Sequence, residues 1–170
     1  MERLQQYDVV VVGGGTAGVS AAVGAAKTGA KTLLIERNAY LGGEATNSGV
    51  SAFCGFYTCG ENPVRVVEGV GRLVLNEMEA LGPTVDYVIS ATGNRNINFQ
   101  PEYLKCAMDN LLEKERVDYL LHTSVIGADT ENGTITAIHC VDDEGTFTVA
   151  AKAFVDASGD ANLARLAGAH

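Results

Sequence analysis

A chain of 170 residues with 46% apolar and 19% charged side chains is long enough for one ordinary globular core and too apolar for disorder. A net charge of −9, no tryptophan and only 6% aromatic residues argue against a nucleic-acid footprint, a base-stacking platform or adhesion to an anionic membrane. The four cysteines are too few for a disulfide scaffold and no Cys/His group has metal-ligand spacing, so a reducing, cytoplasmic setting and no metal are expected.

The first forty residues carry the strongest signal. Tyr7 to Val12 is a β-branched run without alternation, as expected of a strand buried on both faces of a parallel sheet. Gly13-Gly14-Gly15-Thr16-Ala17-Gly18 follows and fits G-x-G-x-x-G. Thr16 to Thr28 reads as an Ala-rich helix ended by Gly29, and Ala30 to Ile35 as a second strand closed by Glu36. Strand, glycine turn, helix, strand and acid in this order describe a dinucleotide site. Gly13 permits the tight turn, Gly15 lets the backbone approach a pyrophosphate, and Gly18 lets helix and strand pack closely. The helix N-terminus offers unpaired N–H groups to phosphate. Glu36, 18 positions after Gly18, is placed to accept the hydroxyls of an adenosine ribose and to repel a 2′-phosphate. The uncharged stretch from Val9 to Ala26 is long enough to suggest a membrane span, but Gly13, Gly14, Gly15, Gly18 and Gly24 interrupt it. Glu2 and Asp8 beside it argue against a secretory signal.

The dinucleotide unit alone does not separate FAD from NAD. The next segment does. Where a second helix of an NAD-binding domain is due, Arg37 to Thr46 carries the Gly42-Gly43 pair and a small-residue loop. Here the chain resembles the FAD-dependent oxidoreductases of the glutathione-reductase-like superfamily, whose members carry Gly-Gly-x-Ala-Thr after the ribose-binding Glu.

Val64 to Leu81 reads as a helix with Val67, Val70, Val74, Met78 and Leu81 on one face, weakened by Gly69 and Gly71 and stopped by Gly82-Pro83. Val85 to Gln100 suggests a strand and a turn at Gly93-Asn94. Pro101 to Arg116 is a helix whose core stripe is Leu104, Ala107, Met108, Leu111 and Leu112. Val117 to His122 is a third parallel strand. Residues 125–130, 134–141 and 146–150 form a three-stranded antiparallel meander, with turns at Asn132-Gly133 and Glu144-Gly145.

The resemblance recurs at the end. An apolar strand runs into Asp156-Ala157-Ser158-Gly159-Asp160, similar to the superfamily's Ala-Thr-Gly-Asp cofactor contact, with Ser158 in place of Thr. It implies an α/β fold: a Rossmann-like FAD-binding domain with a central parallel sheet and an antiparallel meander. It also implies that Gly13, Gly15, Thr16, Ala17 and Gly18 surround the pyrophosphate, and that Glu36 meets the ribose. Arg37, Gly42, Gly43, Ala45 and Thr46 would lie along FAD, with Val125 at the adenine. Ala157, Ser158 and Gly159, with Asp160 beside them, would close over the nucleotide.

Cys54 and Cys59 form a C-x4-C pair. Disulfide reductases of this superfamily place such a pair almost directly after the Gly-Gly, whereas Cys54 lies 11 positions past Gly43 with no Lys, Arg or His within five residues of either thiol. Packed, ordinary thiols are therefore expected, Cys106 and Cys140 included. His122 and His139 lack a readable catalytic partner. The expected function is that of the FAD-binding portion of an oxidoreductase that binds the ADP half of FAD, with the redox chemistry carried by the flavin. The alternatives are an NAD-dependent dehydrogenase domain and a non-catalytic dinucleotide-binding subunit. Residues 1–170 are read as the N-terminal part of the domain, inactive alone. The flavin-end segment and a domain for a small-molecule substrate are expected downstream or on a partner chain. Neither nucleic acid nor membrane is expected as a partner, and oligomerisation is left open.

Overall fold

The computed structural model describes residues 5–82 and 85–169. In chain order the elements are β1 (Gln5–Val12), α1 (Thr16–Lys27), β2 (Thr32–Ile35), α2 (Glu44–Asn47), β3 (Ala52–Phe53), α3 (Val70–Ala80), β4 (Val85–Ile89), β5 (Arg95–Phe99), α4 (Pro101–Lys114), β6 (Asp118–Leu120), β7 (Ser124–Glu131), β8 (Thr134–Asp142), β9 (Gly145–Asp156) and α5 (Asn162–Leu166). They fall into two compact units, Met1–Leu41 with Leu112–His170, and Gly42–Leu111. Among the described residues no helix is long and apolar enough to cross a membrane.

The first unit is built on a six-stranded sheet in the order β6-β2-β1-β9-β8-β7. The strands β6, β2, β1 and β9 run parallel, with Val12 opposite both Ile35 and Asp156. β7 and β8 continue the sheet antiparallel. The parallel part has the 3-2-1-4 order of a doubly wound nucleotide-binding fold, which leaves a crevice at the carboxyl ends of the strands where the order reverses. One face of the sheet is covered by α1, whose Val19, Ala22 and Val23 are fully buried. On the other lie Tyr7, Val10, Val12, Leu33, Ile35, Ile138, Phe147, Val149 and Leu163 in one core. Burial of Val10, Val11 and Val12 together explains why β1 shows no alternation.

The third meander strand and the last parallel strand, expected as separate elements, are one twelve-residue strand, β9. Its first half pairs antiparallel with β8 and its second half parallel with β1. Ala150, Ala151, Lys152 and Ala153 are poor strand formers and mask this continuity; pairing on both sides overrides their propensity.

The second unit carries a three-stranded sheet in the order β3-β5-β4. The expected strand and turn after residue 85 are a full hairpin, closed by Gly93 N–H donating to the Ser90 carbonyl at 2.9 Å. Helix α3 begins at Val70, six residues later than its apolar pattern suggests, because Gly69 takes a φ of +65° and ends the preceding loop. Its buried face is Val74, Leu75 and Met78, and Leu81 is exposed. Pro83, expected to help stop it, lies outside the described residues. In α4 all five expected stripe residues are buried.

The packed-thiol expectation holds only for Cys140, which is buried in β8; Cys54, Cys59 and Cys106 are exposed. Cys106 lies two residues beyond Leu104, about 200° round the helix from the buried stripe. Cys54 and Cys59 sit in an irregular loop, where Cys59 Sγ approaches Asn94 Oδ1 at 2.8 Å. Burial, and then Asp142, push the Cys140 thiol up to about 12, so it offers almost no thiolate to a reagent. Maleimide labelling of the native chain, read by peptide mass, is expected to modify Cys54, Cys59 and Cys106 quickly and Cys140 only on unfolding.

Candidate functional site

The chain leaves β1 through Gly13, whose φ of +104° suits glycine. The turn is also too tight for a side chain, since a Cβ on Gly13 would lie 2.3 Å from the Ala157 carbonyl oxygen. One turn later a Cβ on Gly18 would lie 1.7 Å from the Gly13 carbonyl oxygen. These two contacts hold β1, α1 and the end of β9 at backbone distance. Gly15 is the N-cap of α1, in extended conformation, with no side-chain cap and no acidic residue in the first turn. The first amides of α1 therefore receive no side-chain acceptor, and Thr16 and Ala17 are exposed.

Glu36 ends β2 and is only 6% exposed. Gly14 N–H donates to its Oε2 at 2.6 Å and Asn38 N–H to its Oε1 at 2.7 Å. Each carboxylate oxygen keeps acceptor capacity after one such bond. Backbone bonds fix the surrounding strand ends: Gly13 N–H to Ile35 O at 2.8 Å, Glu36 N–H to Leu120 O at 2.8 Å and Thr123 N–H to Glu36 O at 3.0 Å.

A cleft of about 350 Å³ opens over these strand ends, within the usual size range of ligand clefts. Of the residues singled out in the sequence, Gly13, Glu36, Arg37, Val125 and Ser158 line it. Gly18 is buried beneath the turn, and Ala157 lies behind it, its N–H bonded to the Val12 carbonyl at 2.8 Å. Gly159 and Asp160 are exposed in the loop after β9. Gly42, Gly43, Ala45 and Thr46 belong to the second unit. There Gly43 is the N-cap of α2 and accepts from the Thr46 hydroxyl at 3.2 Å, and Ala45 and Thr46 are buried.

The cleft also has walls that sequence reading missed. Thr123, Ser124 and Ile126 come from the entry to β7, and Asn162, Leu163, Arg165 and Leu166 from α5. Arg165, the single Lys or Arg after Lys152, was the available signal. Among the described residues no carboxylate pairs with Arg37 or Arg165, so two cationic side chains border the cleft of an acidic chain.

Behind α5 lies Asp156. Its Oδ1 accepts from Ser158 N–H at 3.0 Å and from the Ser158 hydroxyl at 2.6 Å, and its Oδ2 from Ala164 N–H at 2.8 Å. Burial pushes this carboxyl up, but the bonds from Ser158, Ala164 and Leu163 outweigh it and hold the group below its ordinary value.

Comparison with known proteins identifies the family and the fold. Residues 8–170 match the family model described as FAD dependent oxidoreductase. A digeranylgeranylglycerophospholipid reductase of Thermoplasma acidophilum is 38% identical over 76 residues, 45% of this chain and 14% of that protein. The reductase of the same name from Methanospirillum hungatei is 30% identical over 125 residues, 74% of this chain and 26% of that protein. The chain thus spans about a quarter or less of the length of these curated relatives. Among solved structures, a geranylgeranyl bacteriochlorophyll reductase-like protein of Thermoplasma acidophilum superposes with a TM-score of 0.68 at 23% identity, over 98% of this chain and 43% of that one. THI4 of Thermovibrio ammonificans gives 0.64 at 20% identity, over 97% and 64%. At these identities the two structures establish a shared fold.

Two substitutions test the turn. Gly18→Ala forces the Gly13 carbonyl aside and is expected to cost about 1–3 kcal/mol, the usual range for overpacking. Glu36→Ala leaves the Gly14 and Asn38 amides without their acceptor, at about 1–3 kcal/mol for each amide that stays buried. Denaturant unfolding of each variant against the parent checks both; midpoints unchanged in either would contradict the packing described.

Proposed function

Because this chain belongs to the FAD dependent oxidoreductase family, we propose that the cleft over the ends of β1, β2 and β9 holds the ADP half of FAD. The observation that carries this reading is the buried Glu36 carboxylate, fixed by the Gly14 amide beside the uncapped N-terminus of α1. The residues present fit the group. The spare acceptor sites of Glu36 suit ribose hydroxyls, and its charge disfavours a 2′-phosphate. The α1 amides and the guanidinium groups of Arg37 and Arg165 suit the phosphates. Val125 and Ile126 offer apolar surface to an adenine.

When bound, FAD supplies the electron or hydride chemistry. The work of this chain is to anchor the nucleotide end, to fix its orientation through Glu36 and to neutralise phosphate charge. The flavin end and a small-molecule substrate fall to other regions of the protein or to a partner chain. A reducing, cytoplasmic setting accompanies this reading, supported by the four unpaired cysteines.

Purified holoprotein is expected to show flavin absorbance at about 450 nm, which bound NAD lacks. After removal of flavin, ADP should bind at least about tenfold more tightly than its 2′-phosphorylated counterpart, a difference of about 1.4 kcal/mol. Glu36→Gln should reduce that preference. Equal affinity for the two ligands would overturn the placement of Glu36 at the ribose.

A further inference from the structure

α5 is held in an unusual way. It is only five residues long, and its N-cap Ala161 adopts a left-handed conformation with φ of +54° and no side-chain cap of its own. An L-residue pays about 1–2 kcal/mol in that region, so the surrounding structure must enforce it. The enforcing groups lie at the end of β9. Asp156 reaches across to the Ala164 amide at 2.8 Å, inside α5. Ser158, itself bonded to Asp156, accepts from the Asn162 amide at 2.8 Å. One carboxylate thus ties together the strand end, the loop over the cleft and the helix that forms its wall. Asp156 itself does not line the cleft, whereas Arg165, one residue beyond Ala164, does.

We propose that Asp156 is a positioning residue that holds α5 so that Arg165 presents its guanidinium to the phosphates of the bound nucleotide. This deepens the reading of the cleft given above and rests on it. A carboxylate is required for geometric reasons. Both of its oxygens act as acceptors, one toward the loop and one toward the helix. An asparagine has one acceptor and one amide donor, so Asp156→Asn sets two donors against each other on one side of the clasp. Arg165 has no carboxylate partner among the described residues, which leaves its charge available to a ligand.

The test uses the flavin-stripped full protein titrated calorimetrically with ADP and with adenosine, which lacks phosphate. D156N and R165Q are each expected to weaken ADP binding about tenfold, equivalent to about 1.4 kcal/mol, and to change adenosine binding little. The double variant should lose no more than either single one, since both changes act on one contact. Amide hydrogen exchange of the ligand-free protein should quicken at Ala164 in D156N and stay unchanged in R165Q. ADP affinity untouched by R165Q overturns the proposal even if D156N folds poorly. Additive losses, or equal losses for ADP and adenosine, overturn it as well. In those cases the parent protein still binds ADP, and the broader reading stands. Failure of the parent to bind ADP would overturn both.

Discussion

The hydrogen bond from the Gly14 amide to the Glu36 carboxylate is the contact on which the site depends. It joins the turn after β1 to the end of β2, two neighbouring parallel strands whose carboxyl ends would otherwise be coupled only through the sheet ladder. A buried carboxylate is costly unless its acceptors are used, and two backbone amides use them in part. Glu36 also lines the cleft. The same arrangement that makes Glu36 tolerable inside the protein therefore makes it available to a polar ligand.

The close approach of Gly13 and Gly18 makes that contact geometrically accessible. With any side chain at either position the turn would widen, and the Gly14 amide would be carried away from Glu36. Sheet order does the rest. Placing β9 beside β1 brings residues 156–158 to the far side of the cleft, so that one carboxylate faces the ligand space and a second, Asp156, organises the wall behind it. Asp156 is held in its charged form by donors that belong to the loop and to α5, which ties the charge state of that wall to its geometry.

Much of this was legible in the chain, and for physical reasons. Residues 7–36 combine a buried strand, glycines forced by close backbone contact and an acid at a fixed separation, and each of these leaves a strong local mark. The α4 stripe was equally clear because five apolar residues recur at helical spacing. The less legible parts depend on contacts distant in sequence. The unity of β9 was hidden by alanines that only its two neighbours hold extended. The start of α3 was set by the backbone of Gly69 rather than by apolar period. The α5 wall was missed because a five-residue helix with a left-handed alanine at its cap has no propensity signal; its clasp is visible only once Asp156 and Ala164 are brought together. Exposure of Cys106 follows from helical phase and could have been read from the sequence.

The most direct test of the account is a crystal structure of the flavin-stripped protein with ADP bound. The account predicts density for the ribose against the Glu36 carboxylate, for the phosphates at the α1 N-terminus, and for the adenine toward Val125 and Ile126. Density for ADP elsewhere on the molecule, or with its phosphates at Glu36, would contradict it.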